Sequence, residues 1–310
     1  MRRVTAHLDD HLWKFSLDNI SISTKKGRVF ISPTFPKIFW EYYNKGWLIA
    51  SEARFRLTKG NVVEFYVIFK KDVKPYEAKG FIPVDLNENS VSVLVDGKPI
   101  LLETNTKRIT LGYEYRRKSI TTGKSTKDRE VKRKLRKLRE RDKKADVRRK
   151  LAKLIVKEAF ESRSAIILED LPRNTPKHMV KSVKDKQLRL RIYRSAFSSM
   201  KNAIIEKARE FGVPVVLVNP SYTSTVCPIH GAKIVYQLDG GDAPRVGVCE
   251  KGKEKWHRDV VALYNLAKRA GDVSPVPLGS KESHDPPIRW LRAKSLHSIM
   301  NDHKMIEMKV

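Results

Sequence analysis

Two apolar runs without alternation constrain this chain most. SAIILEDLP (residues 164–172) and VPVVLVNP (residues 213–220) set branched residues side by side, where a half-buried strand would alternate with polar ones. Such runs suit strands covered on both faces. Between them, QLRLRIYRSAFSSMKNAIIEKAREFG carries Tyr193, Phe197, Met200, Ile204, Ala208 and Phe211 at helical spacing, with Gly212 as a stop and Pro214 beyond it. Upstream, GFIPVDLNENSVSVLVDGKPILLETNTKRITLGYE reads as a meander of three strands, turning at Asn87–Glu88–Asn89 and at Asp96–Gly97. Downstream, RDVVALYNLAKRAG reads as a last helix closed by Gly271.

The order is three meandering strands, helices, strand, helix, strand, insert, helix. It predicts an α/β, ribonuclease-H-like domain over residues 77–271, a mixed sheet with helices on its faces. Before it, residues 1–76 read as a small β-rich domain, a barrel or curled sheet. Its hairpin signals are Lys25-Lys26-Gly27 and Thr58-Lys59-Gly60-Asn61, and PKIFWEYYNKGW suits a short helix ending at Gly46. The tail, residues 272–310, is rich in Pro, Ser and charge and shows no core of its own.

Charge narrows the partners. With 64 Lys and Arg against 35 Asp and Glu, the formal net charge is +29. So one-signed a field repels itself, and a polyanion offsets it; nucleic acid is the leading partner. KSTKDREVKRKLRKLRERDKKADVRRKLAKLIVKEAFESR concentrates the excess on helical faces. Like charges at i, i+4 destabilise a helix, so Lys132, Arg133, Arg136, Arg139 and Arg149, with Arg258 further on, are expected to meet phosphates. Two cysteines make no disulfide framework, no run is long and apolar enough to span a bilayer, and the N-terminus lacks a signal-peptide apolar region. The expectation is a cytoplasmic, nucleoid-associated chain.

Three acids fall at informative places: Asp85 in the first meander strand, Glu169 at the end of AIILE, and Asp259 opening the last helix. If their strands are neighbours, they converge at one end of the sheet. Clustered carboxylates raise one another's pKa unless a cation sits among them, and Mg²⁺ or Mn²⁺ bound by oxygen answers that need. A pair of such ions supports phosphodiester cleavage. Each acid also has a plainer reading: Asp259 as a helix cap, Asp85 as a turn former beside Asn87. Glu169 is harder to dismiss beside a buried run, and its neighbour Asp170 is expected to point to the other face as a structural acid.

VDLNENSVSVLV, AIILEDLP, NPSYTSTVCPIHG and WHRDVVALYNLA, in that order and spacing, resemble the RuvC-type nuclease domain of the TnpB (OrfB) family. These transposon-encoded proteins are related to type V CRISPR effectors. The resemblance covers roughly residues 80–271 and implies a metal-dependent, RNA-guided DNA endonuclease, with a guide RNA and target DNA as partners. Asp85, Glu169 and Asp259 stand at the family's catalytic acids, and the β-rich region is similar to the family's wedge domain. Against the family pattern the chain reads as short at its N-terminus, without the helical recognition segment. That leaves a non-cleaving RNA- or DNA-binding remnant as the alternative. A strand transferase acting alone ranks last, because no His-x-His signature accompanies a tyrosine nucleophile.

The chain's two cysteines now acquire a context. The family commonly inserts a four-cysteine zinc ribbon between the second and third acids, here residues 219–257. By that resemblance Cys227 fills the first place, His230 the second and Cys249 the third, while the fourth falls on Gly252, which cannot ligate. Imidazole serves Zn²⁺ as well as thiolate does. His257, Asp242 and Glu250 are the candidates for the fourth ligand, with His257 also close enough in sequence to Asp259 to serve the carboxylates. Two small buried thiols and a surface histidine are the plain alternative.

Overall fold

The computed structural model describes residues 4–57, 62–172, 175–181, 183–195, 197–236 and 245–271. The expected turn at Thr58–Asn61, the candidate ligand Asp242 and the tail from Asp272 lie outside these residues. The chain divides into two compact units, one ending at Val73 and the other beginning at Lys74.

The first unit contains β1 (Val4–Leu8), β2 (Trp13–Phe15), β3 (Ile20–Thr24), β4 (Gly27–Ile31), α1 (Lys37–Tyr43), β5 (Leu48–Leu57) and β6 (Val63–Lys70). Its strands pair in two antiparallel sheets, ordered β1-β5-β6 and β2-β3-β4, that share one core. Gly27, at φ +108°, closes the β3–β4 hairpin, and Thr24 Oγ1 donates to its carbonyl at 2.7 Å. Leu8, Trp13, Ile20, Ile22 and Ala53 form the core of this unit. α1 stops before Gly46, whose φ of +74° ends the turn, and its Phe39 packs on Phe69 with ring centroids 5.2 Å apart.

The second unit opens with β7 (Gly80–Leu86), β8 (Ser90–Val95) and β9 (Lys98–Glu103), followed by α2 (Thr106–Thr121), α3 (Arg129–Arg136) and α4 (Glu140–Glu161). Next come β10 (Ser164–Glu169), α5 (Thr175–Met179), α6 (Lys186–Ser195), α7 (Phe197–Phe211) and β11 (Val215–Val218). β12 (Ile234–Tyr236), β13 (Val246–Cys249), β14 (Lys255–His257) and α8 (Arg258–Ala270) complete it. The main sheet runs β9-β8-β7-β10-β11; the meander strands pair antiparallel, while β10 lies parallel to both β7 and β11.

Strand alternation assigns the faces of this sheet. Ile82, Val84, Val91, Val93, Ile166 and Leu168 point one way, into a core with Leu151, Ile155 and Ala159 of α4 and Met200, Ile204 and Ala208 of α7. The residues between them, including Asp85, Ser92 and Glu169, therefore point to the other face, where α8 packs across β7, β8, β10 and β11. β12, β13 and β14 form a small antiparallel sheet that shares a core with α8, through fully buried Trp256 set edge-on to Tyr264.

Two local readings need correction. The segment after the third meander strand is helical: α2 was hidden because Ile109, Thr110 and Gly112 weaken helix propensity and its apolar face is poorly defined. β11 is an edge strand rather than a fully buried one, with Val216 and Leu217 exposed by 37% and 44%.

Candidate active site and metal knuckle

Two parallel strands and one helix build the acidic site. Leu168 of β10 pairs with Val84 of β7, so Glu169 and Asp85 each follow one residue later at neighbouring strand ends. Asp259 stands in the first turn of α8, which packs on that same face. Asp85 and Asp259 are buried and Glu169 nearly so. Burial, then the charges of Asp259 and Glu169, push the Asp85 carboxyl up to about 8; Asn87, whose Nδ2 donates to Oδ2 at 2.9 Å, and Arg258 oppose the rise. Burial also raises Glu169, against the Thr223 hydroxyl, which donates to Oε1 at 2.6 Å, and the charge of Arg269. The charges of Asp259 and Glu169 thus resist ionisation of Asp85, and carboxylate oxygens are the donors that hard divalent cations prefer. Directly opposite Asp85 in the β7–β8 ladder, Ser92 buries a hydroxyl that has no hydrogen-bond partner among the described residues.

Asp259 is held by two further groups. Its backbone N–H donates to His257 Nδ1 at 3.3 Å, making His257 the N-cap of α8. Burial holds the His257 imidazole below its usual pKa, against the attraction of Asp259 and with help from Arg245. Arg245 Nη1 reaches the Asp259 carboxylate, 3.1 Å from Oδ1 and 3.2 Å from Oδ2. Asp170 points elsewhere and pairs with Lys201 Nζ at 3.0 Å.

Beside this site lies a second cluster. Cys227, His230, Cys249 and Glu254 each offer a ligand atom, all within 4.8 Å of one another. His230 Nδ1 is 3.7 Å from both Cys227 Sγ and Cys249 Sγ, close to the ~3.3–3.8 Å edges of a tetrahedron with Zn–ligand bonds of about 2.0–2.3 Å. Glu254 Oε1 accepts from Cys227 Sγ at 3.1 Å and lies 2.8 Å from His230 Nδ1. Burial works to raise the Glu254 carboxyl, but bonds from Cys227, its own backbone N–H, Trp256 and His230 outweigh it and bring it down to about 2. Burial pushes the Cys227 thiol up to about 11, with the Glu254 bond adding to the rise. Two thiols, an imidazole and a carboxylate fit Zn²⁺ chemically.

The fourth corner corrects the sequence reading. His257 is absent from the cluster because the helix cap commits it to Asp259, and Glu254, three residues earlier on the hairpin, stands there. Glu250 does not join the group either. Gly252 supplies clearance: a Cβ there would fall 2.0 Å from Glu254 Oε2 and 2.2 Å from His230 Cε1.

Four groups at these sites went unassigned in the sequence: Asn87 as a partner of Asp85, Thr223, Arg245 and Glu254. Asn87 and Thr223 had a signal, lying in the quoted VDLNENSVSVLV and NPSYTSTVCPIHG motifs. The basic residues expected to meet phosphates, Lys132, Arg133, Arg136, Arg139, Arg149 and Arg258, are all exposed. Arg139 is already paired with Asp142 at 2.9 Å, and Arg258 lies over the Tyr236 ring.

An α/β unit with this sheet and this insert has counterparts among known proteins. The family model for the Cas12f1-like TNB domain matches residues 197–266, from α7 into α8. The TnpB-like protein MJ0751 of Methanocaldococcus jannaschii is 31% identical over 276 residues, 84% of this chain and 94% of that protein. A second protein of that organism, TnpB-like protein MJ1635, is 35% identical over 97 residues, 29% of this chain and 22% of its own. The chain belongs to the TnpB family. Its fold is similar to that of Cas12f1 in a solved complex with sgRNA and target DNA, with a TM-score of 0.55 at 12% identity. That match covers 86% of this chain and 59% of the Cas12f1 chain. No helix among the described residues is long and apolar enough to cross a membrane.

Proposed function

We propose that this chain is a divalent-metal-dependent DNA endonuclease guided by RNA, with Asp85, Glu169 and Asp259 as its metal-holding acids. The observation that carries this reading is the gathering of the three acids on the α8 face, at adjoining ends of β7 and β10. The sheet order, an antiparallel meander continued by two parallel strands, supports a ribonuclease-H-like domain of the RuvC type over residues 77–271. Residues 219–257 form its zinc-ribbon-like insert, and residues 1–76 correspond to a wedge-like domain.

Asp85, Glu169 and Asp259 would hold Mg²⁺ or Mn²⁺, whose chemistry would be to activate water and stabilise the leaving oxygen of a phosphodiester. The chain's own groups set the stage. Asn87 orients Asp85, Thr223 orients Glu169, and His257 fixes the first turn that carries Asp259. Arg245 and Arg258, both exposed, place positive charge beside the acids where a phosphate would approach. The basic faces of α3 and α4 suit backbone contacts to a guide–target duplex. The Cas12f1 relative was solved with sgRNA and target DNA, which favours the same two partners for this chain.

The test is plasmid cleavage by protein purified with its RNA, in Mg²⁺ and in chelator. Cleavage should require metal and vanish in Asp85→Ala. Cleavage that survives Asp85→Ala overturns the assignment. Salt-sensitive RNA binding without cleavage by either protein identifies a binding protein instead.

A further inference from the structure

Tyr222 is the most conspicuous side chain near the acids that the proposed chemistry leaves unused. It is 74% exposed and makes no hydrogen bond, ion pair or ring contact through its side chain among the described residues. Its backbone sits at φ +60°, in the left-handed region that an aromatic residue enters only at a cost. Its successor Thr223 is buried and donates to Glu169 at 2.6 Å.

The loop around it is fastened on every side. The Arg269 guanidinium donates to the carbonyls of Asn219 and Ser221, and Ser221 N–H donates to Asn219 Oδ1 at 2.9 Å. Asn265 Nδ2 of α8 donates to the carbonyls of Thr223 at 2.7 Å and Val226 at 2.8 Å. A strained conformation persists only where its surroundings over-determine it, and here the side chains of Arg269, Asn219 and Asn265 do so. The result is an aromatic ring presented to solvent from a fastened backbone, one residue from a group that contacts the second acid.

We propose that Tyr222 is a stacking platform for a nucleobase of the single strand that enters the acidic site. This rests on the endonuclease reading above and adds a residue that positions the substrate strand. With its backbone held, only the two side-chain torsions of the tyrosine are ordered on stacking, and every base presents a π-face, so the contact holds the strand without reading its sequence. Cations near the site, Arg245 and Arg258, serve the phosphates, while the ring serves the base.

The experiment uses the RNA-loaded full chain and a single-stranded oligodeoxynucleotide carrying 5-iodouracil, irradiated in Ca²⁺ in place of Mg²⁺, with adducts mapped by mass spectrometry. The expected adduct falls on Tyr222. Tyr222→Phe keeps it, and Tyr222→Asn lowers the crosslink yield at least about fivefold and raises KM for cleavage more than it lowers kcat. Asparagine accommodates the left-handed backbone, so Tyr222→Asn should melt no lower than wild type. Crosslinks that map elsewhere, or a Tyr222→Asn protein with unchanged yield and KM while Asp85-dependent cleavage is intact, overturn the stacking role and leave the nuclease standing. An adduct on Tyr222 in a protein that never cleaves supports the stacking role and sinks the nuclease.

Discussion

The guanidinium of Arg245 lies against both carboxylate oxygens of Asp259, at 3.1 Å and 3.2 Å. Arg245 is 56% exposed at its side chain and Asp259 only 7%, so a cation from the insert reaches into the acidic site from its rim. It occupies the Asp259 oxygens that a divalent ion would use, and the two compete. Arg245→Ala should therefore bind Mn²⁺ about threefold to tenfold more tightly, the effect of one half-exposed charge worth on the order of 1 kcal/mol. Calorimetric titration of the metal checks this; equal or weaker binding rules the competition out.

Asp85 predicts a pH dependence of the metal-free protein. Its folded carboxyl is raised to about 8 from the ordinary 3.8, so between these values the folded state binds more protons than the unfolded one. Stability is then full below the unfolded pKa and falls as pH rises through the folded one, at up to ~1.4 kcal/mol per pH unit. In chelator, urea midpoints should drop between about pH 4 and pH 8, and Asp85→Asn should flatten that slope. A wild-type profile as flat as that of Asp85→Asn would show that Asp85 ionises freely.

Nucleic-acid affinity should divide the basic residues by their partners. Lys132, Arg133 and Arg136 are exposed on α3, and replacing each by Ala should lower the salt slope of binding by about one counterion. Arg139 is engaged by Asp142 at 2.9 Å, so Arg139→Ala should change the slope less. Filter binding over a salt series separates the two classes. Equal slopes for all variants would place the duplex on another face.

What could be read in advance was what a chain writes locally. Unalternating runs at Ile166–Leu168 announced a covered strand, and Asp85, Glu169 and Asp259 could be placed at element ends from periodicity alone. Which side chain faces which is decided by tertiary packing. Arg245 and Asp259 are 14 residues apart across a strand pair, and nothing local joins them. Family spacing points to Gly252 rather than Glu254, and the glycine leaves room for the Glu254 and His230 side chains. α2 escaped because β-branched residues and a glycine mask a helix that α3, α4 and α6 hold in place.

The knuckle yields the most discriminating prediction, because two candidate ligands three residues apart have been separated by geometry. Glu254 Oε1 lies 2.8 Å from His230 Nδ1, whereas His257 Nδ1 accepts the N–H of Asp259. Purified protein should carry about one zinc per chain, with Co²⁺ substitution giving thiolate charge-transfer bands. Glu254→Ala should lose zinc to a competing chelator at least about tenfold more readily, since a lost ligand weakens a tetrahedral site. Gly252→Ala should do the same without touching a ligand, because its methyl would fall 2.0 Å from the Glu254 carboxylate. His257→Ala should keep its zinc and instead lose about 1 kcal/mol of stability with the helix cap. Zinc released by His257→Ala but retained by Glu254→Ala would restore the histidine to the fourth corner and return Glu254 to the role of a hydrogen-bond acceptor.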